Sequence, residues 1–84
     1  MSKKDKLLKR LKELPKDFTF DETRALLESC GYVMSNKGRT SGSRVKFYLG
    51  ENMLNIHKPH PQKELMEYQL KMIITELEKE GFYE

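Results

Sequence analysis

Between Arg44 and His57 the chain alternates, and this alternation restricts its fold more than any other feature. Val45, Phe47 and Leu49 are apolar and are interleaved with Arg44, Lys46 and Tyr48. After Gly50-Glu51-Asn52, Leu54 and Ile56 are interleaved with Met53, Asn55 and His57. A period of two marks a strand with one buried face, and two such runs joined by a short glycine-containing turn read as an antiparallel hairpin. The apolar residues are thereby committed to a core. Arg44, Lys46, Tyr48, Asn55 and His57 are left together on the opposite face. Partners on one face of this hairpin have residue numbers that sum to an odd number. A two-residue turn at Glu51-Asn52 sets His57 opposite Lys46, and a tighter or bulged turn sets it opposite Arg44.

The flanks of the hairpin are helical. Leu7, Leu8, Leu11 and Leu14 form an apolar stripe on a lysine-rich background, predicting a helix over Lys3–Leu14 that ends before Pro15. Thr19-Phe20-Asp21-Glu22 reads as a capping box, opening a helix with Ala25, Leu26, Leu27 and Cys30 that stops at Gly31. Tyr32–Ser35 favours a short strand, and Asn36-Lys37-Gly38 is turn material. After the stiff connector His57-Lys58-Pro59-His60-Pro61, a helical pattern runs from Pro61 to about Glu80. It offers Leu65, Tyr68, Met72, Ile73 and Leu77 to the core, with Gly81 as its stop. Helices before and after a three-stranded meander pack on one sheet face and leave the other open. The expected fold is therefore α+β: a three-stranded antiparallel sheet with helices on one face, plus an extra N-terminal helix. Residues 1–84 are read as a single domain, with 1–17 as a helical extension and 18–84 as the core.

Charge is concentrated where the open face lies. From Ser35 to Lys63 there are six Lys/Arg (Lys37, Arg39, Arg44, Lys46, Lys58 and Lys63) and one acid, Glu51, a local balance of +5 within a net charge of +3. Such asymmetry fits a polyanionic partner, or else a solvated basic face. The single cysteine, Cys30, excludes an intramolecular disulfide and a multi-cysteine zinc site. The first residues carry no apolar signal core, and no apolar run reaches the roughly 20 residues of a membrane span. The expectation is a soluble protein of the cytoplasm, without a membrane and without a cofactor.

The open face suits RNA. Cations neutralise phosphate, Tyr48 can stack on a base, and His57 can move a proton near neutral pH. Metal-independent RNA cleavage needs a base for the 2′-hydroxyl, an acid for the departing 5′-oxygen and positive charge at the crowded phosphate. The only two histidines, His57 and His60, lie three residues apart beside the basic strands. Equally, His57 can be a solvated strand-end residue and His60 a turn residue. Their HxxH spacing has no acidic or thiol third ligand nearby, so no metal is assigned. Lys37–Ser43 is Gly/Ser-rich but lacks P-loop order.

Phe18-Thr19-Phe20-Asp21-Glu22, Leu26-Leu27-Glu28-Ser29-Cys30-Gly31-Tyr32, Lys37-Gly38 through Ser41-Gly42-Ser43, and His60-Pro61-Gln62-Lys63-Glu64-Leu65 occur here in one order. In that order and spacing, the chain from Phe18 onward resembles the HicA family of toxin–antitoxin ribonucleases. The resemblance implies a fold similar to a double-stranded-RNA-binding domain, cleavage of messenger RNA and silencing by a HicB-like antitoxin. The Lys3–Leu14 helix is extra to the family pattern. The family's active histidine follows a Gly-Ser pair at the start of the second strand, where this chain has Gly42-Ser43-Arg44. Arginine stays charged and cannot shuttle protons, but it holds phosphate. Arg44 therefore carries over as an RNA-binding position, together with Lys37, Arg39, Ser43, Lys46, Tyr48, Lys58 and Lys63. His60 matches the family's later histidine, whereas His57 matches no family motif. Three readings stay open. Catalysis has moved to His57 or His60; or it is lost and the protein binds RNA or an antitoxin; or the basic face docks an acidic antitoxin surface alone.

Overall fold

The computed structural model describes residues 3–35, 44–57 and 63–83. The elements run α1 (Lys3–Lys12), α2 (Phe20–Ser29), β1 (Val33–Ser35), β2 (Arg44–Leu49), β3 (Asn52–His57) and α3 (Glu67–Lys79). The strands form one antiparallel sheet in the order β1-β2-β3. Val45, Phe47, Leu54 and Ile56 turn inward to a core completed by Leu7, Leu8 and Leu11 of α1, Leu26 and Leu27 of α2, and Leu70, Ile73 and Leu77 of α3. The fold is thus the expected α+β arrangement, with its helices gathered on one side of the sheet.

Local chemistry sets the helix ends. The Thr19 hydroxyl accepts from the Glu22 amide at 3.1 Å, and the Glu22 carboxylate accepts from the Thr19 amide at 3.0 Å. This is the capping box read from the sequence. At the other end of α2, Gly31 takes φ +100°, the Tyr32 amide donates to the Leu27 carbonyl and the Gly31 amide to that of Glu28. That pair of bonds is a Schellman closure, which needs a left-handed residue that glycine adopts without strain.

Three expectations are corrected. First, α1 ends at Lys12 rather than Leu14. The Leu14 amide bonds to the Leu11 carbonyl and the residue itself swings to φ 53°, reversing the chain before Pro15. Second, α3 starts at Glu67, well after Pro61. Lys63–Leu65 is instead extended beside Phe18–Phe20: the Phe20 amide donates to the Lys63 carbonyl and the Leu65 amide to the Phe18 carbonyl, both at 2.9 Å. Third, Tyr68 and Met72 are exposed, while Leu70, Ile73 and Leu77 face the core. Both apolar sets have helical spacing, and the face that α3 turns to the core chooses between them.

Helix α1 is tied into this assembly by polar contacts as well as by its leucines. The Arg10 guanidinium lies over the Phe18 ring, 2.6 Å from a Glu22 carboxylate oxygen and 2.7 Å from one of Asp17. Lys12 pairs with Glu78 of α3 at 2.8 Å, and the Tyr83 hydroxyl donates to the Leu8 carbonyl. Burial, helped by Cys30 and Glu78, pushes the Tyr83 phenol up to about 12, so it stays a donor through neutral and mildly alkaline pH.

Candidate nucleic-acid interface

The uncovered face of the sheet is built by register. In β2 and β3 the partners are Arg44 with His57, Lys46 with Asn55 and Tyr48 with Met53. In β1, Ser35 pairs with Lys46 and Val33 with Tyr48. His57 therefore stands opposite Arg44, the second of the two registers the alternation permits, and not opposite Lys46. The turn explains this: Leu49 pairs with Asn52, so the two turn residues are Gly50 and Glu51, not Glu51 and Asn52. Gly50 takes φ +61°, the positive first position that tight hairpins require.

The face consequently has three rows. At one end is the Arg44–His57 pair; next comes Ser35–Lys46–Asn55; last is Val33–Tyr48–Met53. Rows lie about 7 Å apart, two residues along a strand. Lys46, Asn55 and His57 are exposed, Ser35 and Tyr48 are partly so, and Val33 and Met53 stand 66% and 46% open. None of these residues is acidic; Glu51 lies in the turn. The face grades from cationic to apolar with polar groups between.

The cationic end is anchored from below. Gln69 of α3 is only 3% exposed, and its side-chain amide spans two elements. Nε2 donates to the His57 carbonyl at 2.8 Å, and Oε1 accepts from the Met66 amide at 3.0 Å. One buried amide thus fixes the last residue of β3 against the first turn of α3. Gln69→Ala leaves a carbonyl and an amide without their partner, a loss of about 2 kcal/mol in unfolding free energy. Urea denaturation measures it, and a change below about 0.5 kcal/mol would mean the bridge contributes nothing to stability. Gln69→Glu is the sharper variant, because it sets a carboxylate oxygen against the His57 carbonyl.

The sequence-derived site residues divide as follows. Lys46, Tyr48 and His57 share the open face, with Arg44 paired to His57. Lys63 is exposed but belongs to the extended segment against Phe18–Phe20. Lys37, Arg39, Ser43, Lys58 and His60 lie outside the described residues. Sequence reasoning missed Val33, Ser35 and Gln69. A three-residue strand is too short to display a period, and only a long-range contact reveals what Gln69 does. Among the described residues, no helix is long and apolar enough to cross a membrane, and no group of three or more His, Cys, Asp or Glu is placed to hold a metal ion.

A family model described as HicA toxin of bacterial toxin-antitoxin matches residues 20–79, from the start of α2 to the end of α3. Neither the curated proteins nor the solved structures contain a match.

Proposed function

The chain belongs to the HicA family of bacterial toxin–antitoxin toxins, and from this we propose that it is an RNA-directed toxin that cuts messenger RNA without a metal and is neutralised by a HicB-like antitoxin in the cytoplasm. The observation that carries the reading is the backbone pairing of Arg44 with His57 at one end of the sheet, beside exposed Lys46 and His57 on a face free of acids among its described residues. In the reaction, a histidine accepts the 2′-hydroxyl proton as that oxygen attacks the neighbouring phosphorus. The 5′-oxygen leaves with a proton supplied by a second acid, giving a 2′,3′-cyclic phosphate and a 5′-hydroxyl. His57 and His60 are assigned these two proton transfers. Arg44 is assigned the phosphate, where a fixed positive charge stabilises the charge that builds in the transition state. Lys37, Arg39, Ser43, Lys46, Lys58 and Lys63 are assigned to binding the RNA backbone on the strength of the family resemblance and their charge or hydrogen-bonding capacity.

The resemblance sets Arg44 where the family has its active histidine, and this supports a second reading, in which the protein binds RNA or its antitoxin without cutting. One experiment separates the two. Purified protein is incubated with end-labelled messenger RNA in EDTA, beside the His57→Ala/His60→Ala double variant. Discrete fragments ending in cyclic phosphate, made by the wild type and reduced at least about a hundredfold in the double variant, are the expected result. RNA left intact by the wild type at high protein concentration selects the binding-only reading. Equal cleavage by both proteins removes the histidines from the mechanism.

A further inference from the structure

We propose that the open sheet face is a platform for single-stranded RNA, with one unpaired base stacked on Tyr48 between Val33 and Met53 and its phosphate held by the cations toward the Arg44–His57 row. The inference rests on the RNA-directed reading and specifies the form of RNA the site takes.

Val33, Tyr48 and Met53 stand side by side on three strands, and Val33 and Met53 are among the most exposed large apolar side chains of the described residues. Neighbouring strands lie about 4.8 Å apart, so this apolar row spans roughly 10 Å, the width of a base with its sugar. An RNA duplex shows a protein its phosphates and 2′-hydroxyls, while its base faces are hidden by stacking. Against such a ligand an exposed valine and methionine beside a tyrosine recognise nothing. An unpaired base offers a π-face that an aromatic ring and its apolar neighbours can cover.

The order of the rows supplies the second half. A nucleotide carries phosphate and base on opposite sides of a sugar. Here Lys46 stands about 7 Å from the apolar row and the Arg44–His57 pair about 13 Å from it. Ser35 and Asn55 flank Lys46 with groups that can donate or accept hydrogen bonds. The face is thus ordered as a nucleotide is: charge and polar groups toward one end, an apolar plane at the other. An acidic protein surface would satisfy the cations, and it is the competing occupant that the test must reject.

The test uses fluorescence anisotropy with a labelled twelve-nucleotide 2′-O-methyl RNA, whose blocked 2′-oxygen cannot attack, alone and annealed to its complement. The single strand is expected to bind at least about tenfold more tightly than the duplex at equal salt. Tyr48→Ala should weaken single-strand binding about five- to a hundredfold, the range for losing one stacked base. Tyr48→Phe should stay within about threefold of wild type, and neither variant should change the salt dependence, because no cation is removed. A second readout needs no variant: 2-aminopurine placed in the strand should lose fluorescence as it stacks on the wild-type protein. Equal affinity for strand and duplex, with unchanged 2-aminopurine emission at saturation, overturns the platform but leaves a salt-dependent RNA-binding protein. Failure of both RNAs to bind at low salt overturns the platform and the RNA-directed reading together.

Discussion

Leu11→Ala lowers the unfolding free energy by about 3 kcal/mol, within the usual range for emptying a buried leucine site. Deleting residues 3–14 yields a chain that no longer unfolds cooperatively. Both results are expected although α1 lies wholly outside the region matched by the family model, which begins at Phe20. Leu11 is fully buried, and Leu7 and Leu8 nearly so. Arg10 joins α1 to the start of α2 through Asp17 and Glu22, and Tyr83 returns from the C-terminal end to bond the Leu8 carbonyl. An 84-residue chain has a small core and a margin of only about 5–15 kcal/mol. Removing three core leucines at about 2–5 kcal/mol each consumes that margin. Urea denaturation followed by far-ultraviolet circular dichroism measures both effects. A truncated chain that retains a sigmoidal transition with the wild-type slope would show that α1 is an accessory to the fold.

The second large effect concerns charge. The Arg44→Ala/Lys46→Ala double variant is expected to bind single-stranded RNA at least about tenfold more weakly at low salt. Its plot of log affinity against log salt should be shallower by about 1.4, two phosphate contacts at roughly 0.7 each for a single strand. Lys9→Ala/Lys16→Ala is the matched control, since it removes the same net charge from two exposed positions in and just after α1. If attraction came from the overall charge of +3, both pairs would lose affinity equally. If the open face holds the phosphates, the control pair keeps the wild-type slope. Equal losses from the two pairs would remove Arg44 and Lys46 from the interface.

Much of the frame is legible in the amino-acid sequence alone. The alternation from Val45 to Ile56 assigns the buried and open faces correctly, because side chains on a strand point to opposite sides whatever lies around them. Thr19 and Glu22 announce their capping box, and Gly31 its left-handed closure, for the same reason: both depend on bonds within a few residues. The motif order from Phe18 onward points to the family whose model matches the chain.

Other features are not legible there, and each has a physical reason. Pairing His57 with Lys46 or with Arg44 leaves every side chain on the same face, so alternation is blind to a slip of two residues. The turn at Gly50-Glu51 chooses Arg44. Helix α3 carries two apolar rows, one through Tyr68 and Met72 and one through Leu70, Ile73 and Leu77, and both obey the helical period. Only packing against the sheet buries the second. Gln69 looks like any polar helix residue until folding brings the His57 carbonyl to it, twelve positions away. By itself, then, the sequence determined the order of helices and strands and which face of the sheet is apolar, since these follow from geometry repeated every two to four residues, while the end of α1 and the start of α3 were set by contacts outside that period. The tertiary structure alone decided which side chains meet, because register, helix phase and the Gln69 bridge depend on contacts between segments distant in the chain.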